Sequence, residues 1–524
     1  MRPLGTRLRP PKGIRSDQEG PVDCNKQLEG ILRRRPIFRT IVLALLAAIL
    51  AVGDPDVSAG ADYYFSTSGN DSWRGGLPEP NADGTDGPWK SLSKIFVLSK
   101  KNALQPGDRL LLKRGNSWNE LDHKSIMWLE GLEGTAEHPI TIGAYGVGKK
   151  PVLSGAGSDR PHTIIRAQHI HHVRIQDLRL IGGAQTREFL WLRADTHESG
   201  TTHVQVLRCK FDNTVEDQVE GGTGIFMLNP FGQSRHPESN LPYANPLHHI
   251  EVGWSTFYGI GGMPGTTPNK VDAINVGAPK GGHIWIHHNE FYWTADSAID
   301  IAGESNHLVE HNKIIGISIN GGIKFHSQFS HLSNSTIRGN LIVGGDWAMA
   351  IEATSGVRIF NNTTYPKAGK SLVAWFGDMP TGQYGTFEDN EIRNNIFWGF
   401  VYMAGAAGPS IGTTNTFSNN IYYNDRSRVT QLFYFQETGE IIKGNEFAAK
   451  WLSQPGVTDD RNVDPKLVNP FFTTWNHYGD FHLAPGSAAI DAGTDVGMTA
   501  DLDGKSVPRG LAPDVGAYEF VGPP

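Results

Sequence analysis

The sequence predicts an all-β coiled solenoid, and three observations predict it. The composition suits strands and turns: 62 glycines in 524 residues, 10% aromatics and few apolar stripes at helical spacing. A short motif recurs from about residue 138 to the 460s, each copy placing an apolar residue three before a small or polar one. The clearest copy is His283-Ile284-Trp285-Ile286-His287-His288-Asn289. The third observation is the period. The small or polar positions are Cys209, Ser255, Asn289, Asn312, Asn340, Asn362, Asn395 and Asn420, with spacings of 46, 34, 23, 28, 22, 33 and 25. A repeat near two dozen residues with variable insertions fits coils of three short strands and three turns, stacked at about 4.8 Å. Asn suits an internal turn that needs an αL-tolerant residue, and its amide can bond to the Asn one coil away.

The chain divides into four stretches. Residues 1–61 read as an export leader: Arg33, Arg34, Arg35 and Arg39 precede the apolar run Ile41–Val52, and small residues follow at 57–61. The run is short for a membrane span, so a secreted chain without membrane attachment after cleavage is expected. Residues 62–137 form an N-terminal cap and first coils. Residues 91–104 form a short amphipathic helix that closes the open end of the stack. Residues 138–467 form the solenoid, and 468–524 a C-terminal capping segment.

Charge and cysteine narrow the function classes. The leader holds ten Lys/Arg and six Asp/Glu, so 37 basic and 48 acidic residues remain of the full 47 and 54. Such a balance argues against nucleic acid or another polyanion bound by a general basic surface. Cys24 lies in the leader, which leaves Cys209 alone, a buried member of the ladder with no disulfide partner. A monomer is expected.

A second series of strands recurs between the Asn turns: Ala273-Ile274-Asn275-Val276, Ala298-Ile299-Asp300-Ile301, Gly322-Ile323-Lys324-Phe325 and Ala350-Ile351-Glu352-Ala353. Side chains alternate along a strand. With Ile and Val inward, Asn275, Asp300, Lys324 and Glu352 form one outward column, which Phe226 and Trp191 extend backwards. Aromatic faces beside carboxylates and a lysine suit a sugar groove. Asp272, Asp296 and Asp300 cluster on neighbouring coils, and a Ca²⁺ ion would relieve their repulsion. Asp501-Leu502-Asp503-Gly504 lacks the full spacing of a calcium loop and reads as structural.

The repeats, the opening Tyr63–Asp71 and Gly87–Leu92 segments, and the closing Asp480–Gly493 and Asp514–Glu519 segments together resemble the pectate-lyase-like superfamily of right-handed parallel β-helices. The resemblance covers about residues 62–520 and implies that fold and a polysaccharide substrate. The site segment resembles family 9 pectate lyases in particular. By that resemblance Asp272, Asp296 and Asp300 match calcium ligands, with Ser297 replacing a further acidic position, and Lys324 matches the base of a β-elimination. Ca²⁺ would acidify the C5 proton of a uronate and Lys324 would remove it. Asn275 and Glu352 would hold metal or sugar, and His326 would protonate the leaving oxygen.

The segment is also similar to polygalacturonase-type glycoside hydrolases. Asp272 and Asp296 match two carboxylates there, whereas Ser297 replaces an Asp and Gly321 stands in place of a His. Hydrolysis is the alternative, through Asp272/Asp296 by that resemblance or through Asp300/Glu352 in a hydrolase of another family; C5-epimerisation is a variant of elimination, and a non-catalytic polysaccharide-binding surface protein the third class.

Overall fold

The computed structural model describes residues 60–522 except 123, 194–199, 214–221, 229–246, 262–270, 278–280, 318–320, 329, 368–371, 379–384, 405–413 and 426–430. The leader, apart from residues 60–61, lies outside them. Among the described residues no helix is long and apolar enough to cross a membrane.

The chain is a right-handed parallel β-helix. Three sheets run its length, a first of 13 strands and a second and third of 12 each. In each, hydrogen-bonded neighbours come from successive coils, and nearly all pair in parallel. Alternation explains the core. In Ile299–Ala302, Ile299 and Ile301 are fully buried while Asp300 lies partly exposed between them. Inward aromatics repeat in register too: Phe211, Phe257 and Phe291 stack at 4.5 and 4.7 Å.

The Asn positions form a buried ladder. Asn289 Nδ2 donates to Asn312 Oδ1 at 3.1 Å, Asn312 to Asn340 at 3.0 Å, Asn340 to Asn362 at 2.9 Å, Asn362 to Asn395 at 3.0 Å and Asn395 to Asn420 at 2.9 Å. Each backbone N–H donates to the same acceptor, for example Asn340 N to Asn362 Oδ1 at 3.0 Å. The row ends on Asp460, which accepts from Asn420 N and Nδ2. Cys209 and Ser255 continue it at the other end. Cys209 N donates to Ser255 Oγ, and Ser255 N to Asn289 Oδ1. Burial pushes the Cys209 thiol up to about 11, so it packs as an inert small residue. The αL conformation falls one residue earlier than expected, at His288, His311, Asn361, Asn394 and Asn419. The ladder Asn is therefore chosen for its amide and not for its backbone.

Both ends are covered. The helix Ser93–Lys100 is shorter than 91–104 and packs on the strand Ser125–Glu130, with Phe96 stacked on Trp128 at 4.4 Å. At the far end a tight helical segment, Gly444–Glu446 and Phe447–Trp451, brings Trp451 onto Phe433, Phe417 and Tyr422, one ring from each of the three sheets. The stretch 468–524 lies elsewhere than expected of a cap. It begins with the antiparallel pair Leu467–Thr474 and His477–Leu483, then straps the outer face of the third sheet. Asn361 Nδ2 donates to Asp514 O at 2.8 Å, and Asn394 Nδ2 to Thr494 O at 2.8 Å. Asp501 Oδ1 accepts from the N–H groups of Asp503 and Lys505, as a turn-former does.

Candidate active site

The second sheet carries the column read from sequence. Pairing places Trp191 beside Phe226, Phe226 beside Asn275, Asn275 beside Asp300 and Asp300 beside Lys324. Glu352 does not follow. Ala350 pairs with Lys324, and Glu352 pairs with His326. Two rungs and two residues separate Asp300 from Glu352, about 12 Å from strand geometry. Glu352 therefore stands off the column that Asp300 and Lys324 share.

The column runs further than the sequence reading took it. On one side Trp191 pairs with Arg166, and Arg166 with Trp128. The Arg166 guanidinium lies 4.6 Å from the Trp128 ring and 5.6 Å from Trp191, and Arg193 lies 4.8 Å from Trp191. On the other side Ala350 is followed by Trp375, Tyr402 and Tyr434. The eleven rungs from Trp128 to Tyr434 span about 48 Å. The signal for the second half was present as alternation in Leu372–Gly377, Phe400–Ala404 and Gln431–Phe435, whose middle outward residues are Trp375, Tyr402 and Tyr434. Among the described residues the buried indole Nε1 atoms of Trp191 and Trp375 have no hydrogen-bond partner.

The acidic cluster stands between these aromatic halves. Asp272 lies two residues before the strand Ile274–Gly277 and is 8% exposed. Asn275 Nδ2 donates to its Oδ2 at 2.7 Å and Ser297 N to its Oδ1 at 2.9 Å. One coil on, Asp300 Oδ1 meets His326 Nε2 at 2.8 Å. His326 itself pairs with Ala302, whose small side chain leaves room for the ring to reach back to Asp300. The ring is only 2% exposed, and its Nδ1 is buried without a partner. Its Nε2 is thus committed to Asp300, so the expected encounter with a leaving oxygen finds the ring engaged elsewhere.

The two carboxyls hold opposite protonation states. Burial pushes Asp272 up to about 8, and the charges of Asp300 and Asp296 add to the rise. Burial opposes ionisation of Asp300 as well, but His326 and then Lys324 hold its carboxyl below the ordinary value. At neutral pH the cluster presents a protonated acid beside an ionised carboxylate.

The fit to calcium is poor. Both Asp272 oxygens already accept hydrogen bonds and Asp300 Oδ1 is taken by His326. Among the described residues no three His, Cys, Asp or Glu side chains are arranged to hold a metal ion. Asp296 influences Asp272 through its charge without completing a ligand cage. The polygalacturonase-type arrangement meets a steric bar at Gly321. A Cβ there would lie 1.7 Å from Trp347 Cζ3, so a histidine at that position requires Trp347 to move.

Comparisons with known proteins place the fold. The family model for a right handed beta helix region matches residues 273–447. No curated protein sequence matches the chain. Among solved structures, the GH136 lacto-N-biosidase from Eubacterium ramulus is similar in its selenomethionine form with a TM-score of 0.52 at 14% identity, covering 84% of this chain and 73% of that one. Its native form gives 0.50 at 14% identity, covering 77% and 68%. The pectate lyase Pel9A aligns over 88% of this chain and 97% of its own at 14% identity, with a TM-score of 0.38. At these identities the likeness is one of fold.

Proposed function

We propose that this chain is an exported carbohydrate-active enzyme that cleaves glycosidic bonds in a polysaccharide laid along the outer face of the second sheet. The observation that carries the reading is the cluster of Asp272, Asn275, Asp300 and His326 at the break between two runs of aromatic side chains. Glycoside hydrolysis needs one carboxylic acid to protonate the leaving oxygen and one carboxylate to activate water or meet the anomeric carbon. Asp272 supplies the acid and Asp300 the carboxylate. His326 positions Asp300, Asn275 positions Asp272, and Trp191, Phe226 and Trp375 supply faces for pyranose rings. Two neighbours in fold, both forms of one lacto-N-biosidase, are named for action on carbohydrate.

One observation favours a second reading, β-elimination. Lys324 stands in register with Asp300, and Arg166 and Arg193 lie along the same track, where cations suit the carboxylates of a uronic-acid polymer. Lys324 would then take the C5 proton and Asp272 would protonate the leaving oxygen. Neither route draws on a metal ion, so a chelator leaves activity unchanged.

The deciding experiment is a panel of neutral and uronic-acid polysaccharides with mass analysis of the products, with and without chelator. Hydrolysis gives products that carry one oxygen from labelled water, and Asp272→Asn slows their release about 10²–10⁴-fold. Elimination gives an unsaturated uronate lighter by one water, and Lys324→Ala abolishes it. Release of neither product from any glycan overturns both readings.

A further inference from the structure

The first sheet has its own groove, built from strands other than those that carry the acidic cluster. Its volume is about 410 Å³, within the range of small-molecule sites. One wall is the short loop around Thr135, Ala136 and Pro139. The floor is a polar column set by register: Arg174 pairs with Gln205, Gln205 with Glu251 and Glu251 with Trp285. These side chains are joined. Arg174 Nε donates to Gln205 Oε1 at 2.8 Å and Gln205 Nε2 to Glu251 Oε2 at 2.6 Å. His287 Nε2 meets Glu251 Oε1 at 3.1 Å, and Trp285 Nε1 donates to Glu310 at 2.9 Å. Trp285 remains 38% exposed, with one face of its ring stacked on His287 at 4.0 Å.

The other wall is a stack of imidazoles, one per coil. His172 and His203 lie 4.4 Å apart, His203 and His249 4.7 Å, and His249 and His283 4.4 Å, with planes within 23°. All four have positive φ, between 50° and 58°. The same kink recurs on each coil and turns each ring onto the next. No member of the stack joins a group that could hold a metal, among the described residues.

We propose that this groove is a second carbohydrate-binding site, one that takes an uncharged stretch of glycan. Trp285 offers an apolar face to a pyranose ring, while Arg174, Gln205 and Glu251 offer planar donors and acceptors spaced at the strand repeat for hydroxyls along a sugar chain. The lining carries one cation and one carboxylate joined through Gln205, so it holds no excess charge for an acidic polymer. Burial, and then the neighbouring imidazoles, hold His203 and His249 below their ordinary value, which keeps those rings neutral at pH 7. The site goes beyond the proposed cleavage on the second sheet, since it anchors a polymer without reacting with it.

The test is electrophoresis of the full chain through gels that contain xylan, glucomannan or mixed-linkage glucan, with polygalacturonate and alginate gels alongside. Wild-type protein is retarded by at least one neutral glycan. Trp285→Ala and Arg174→Ala each weaken that retention about tenfold, while circular dichroism and melting confirm the fold and product release from the cleaved glycan is unchanged. Asp300→Asn, which removes cleavage, keeps the retention, so failure of one site is distinguishable from failure of the other. Retardation by no neutral glycan, by acidic glycans alone, or in a manner lost in Trp375→Ala and kept in both first-sheet variants overturns the proposal.

Discussion

Replacing Asp272 by Asn tests the acidic cluster without knowledge of the substrate. In the folded chain burial keeps this carboxyl protonated up to about pH 8. In the unfolded chain it ionises near its ordinary value of about 3.9. Between those limits the unfolded state gives up a proton that the native state retains, so raising the pH destabilises the fold. The slope reaches about 1.4 kcal/mol per pH unit, and between pH 5 and pH 8 the loss is at most about 4 kcal/mol. Asparagine has no such titration. It retains one acceptor for the Asn275 or Ser297 donor and loses the other, which costs about 1 kcal/mol at any pH. The stability of Asp272→Asn relative to wild type therefore rises by up to about 4 kcal/mol from pH 5 to pH 8. Asp460, which burial pushes up to about 7, adds a slope of the same sign to both proteins and cancels from the difference. Urea denaturation of the two proteins at pH 5, 6.5 and 8 measures it. A stability gap that stays constant over that range would show that Asp272 is ionised in the native state, and the assignment of a protonated acid would be refuted. Under the hydrolytic reading the same variant loses about 10²–10⁴-fold in turnover.

Three further outcomes follow from the geometry. Asn362→Ala removes the acceptor of two bonds from Asn340 and the donor to Ile337 O, leaving the buried Asn340 N–H unpaired. It should cost roughly 3 kcal/mol in chemical denaturation, and a loss under about 1 kcal/mol would contradict the ladder's role. Gly321→Ala drives a methyl into Trp347 and should lower stability by about 1–3 kcal/mol, an effect that pairing it with Trp347→Ala relieves in a melting experiment. Trp375→Ala should raise KM about tenfold for long polymers while kcat on short oligosaccharides stays near wild type; equal losses on both would remove Trp375 from the substrate track.

The coil count and the ladder were legible because the Asn at each internal turn is visible one residue at a time, and the hydrogen bonds between successive amides enforce the spacing that was read. The outward column was legible as far as Lys324 for a similar reason, since Ile274, Ile299 and Ile323 are inward in any reading. Glu352 escaped because a strand has a period of two. Met349-Ala350-Ile351-Glu352 alternates correctly both in the observed pairing and in one shifted by two residues, so hydrophobicity cannot distinguish them. The bond from Gly322 N to Ala348 O decides it. His326 could be placed outward by alternation, but its reach to Asp300 depends on the small size of Ala302 on the adjacent coil, a diagonal relation that linear sequence does not display. The strap 468–524 docks through irregular backbone contacts with Asn361 and Asn394, which carry no periodicity.

The internal row of amides has a direction. Every member hands its protons forward to the next coil and receives them from the one before, so the small dipoles line up and each reinforces its neighbours. Interior joints are chemically alike, which makes a coil there interchangeable in principle with another of the same kind. The last joint is different: a side chain that only accepts when ionised, Asp460, absorbs what Asn420 offers and is itself held by the Trp451 indole. A chain cut short after Asn420 would leave its final donors facing nothing, and the loss of order would begin there and travel backwards.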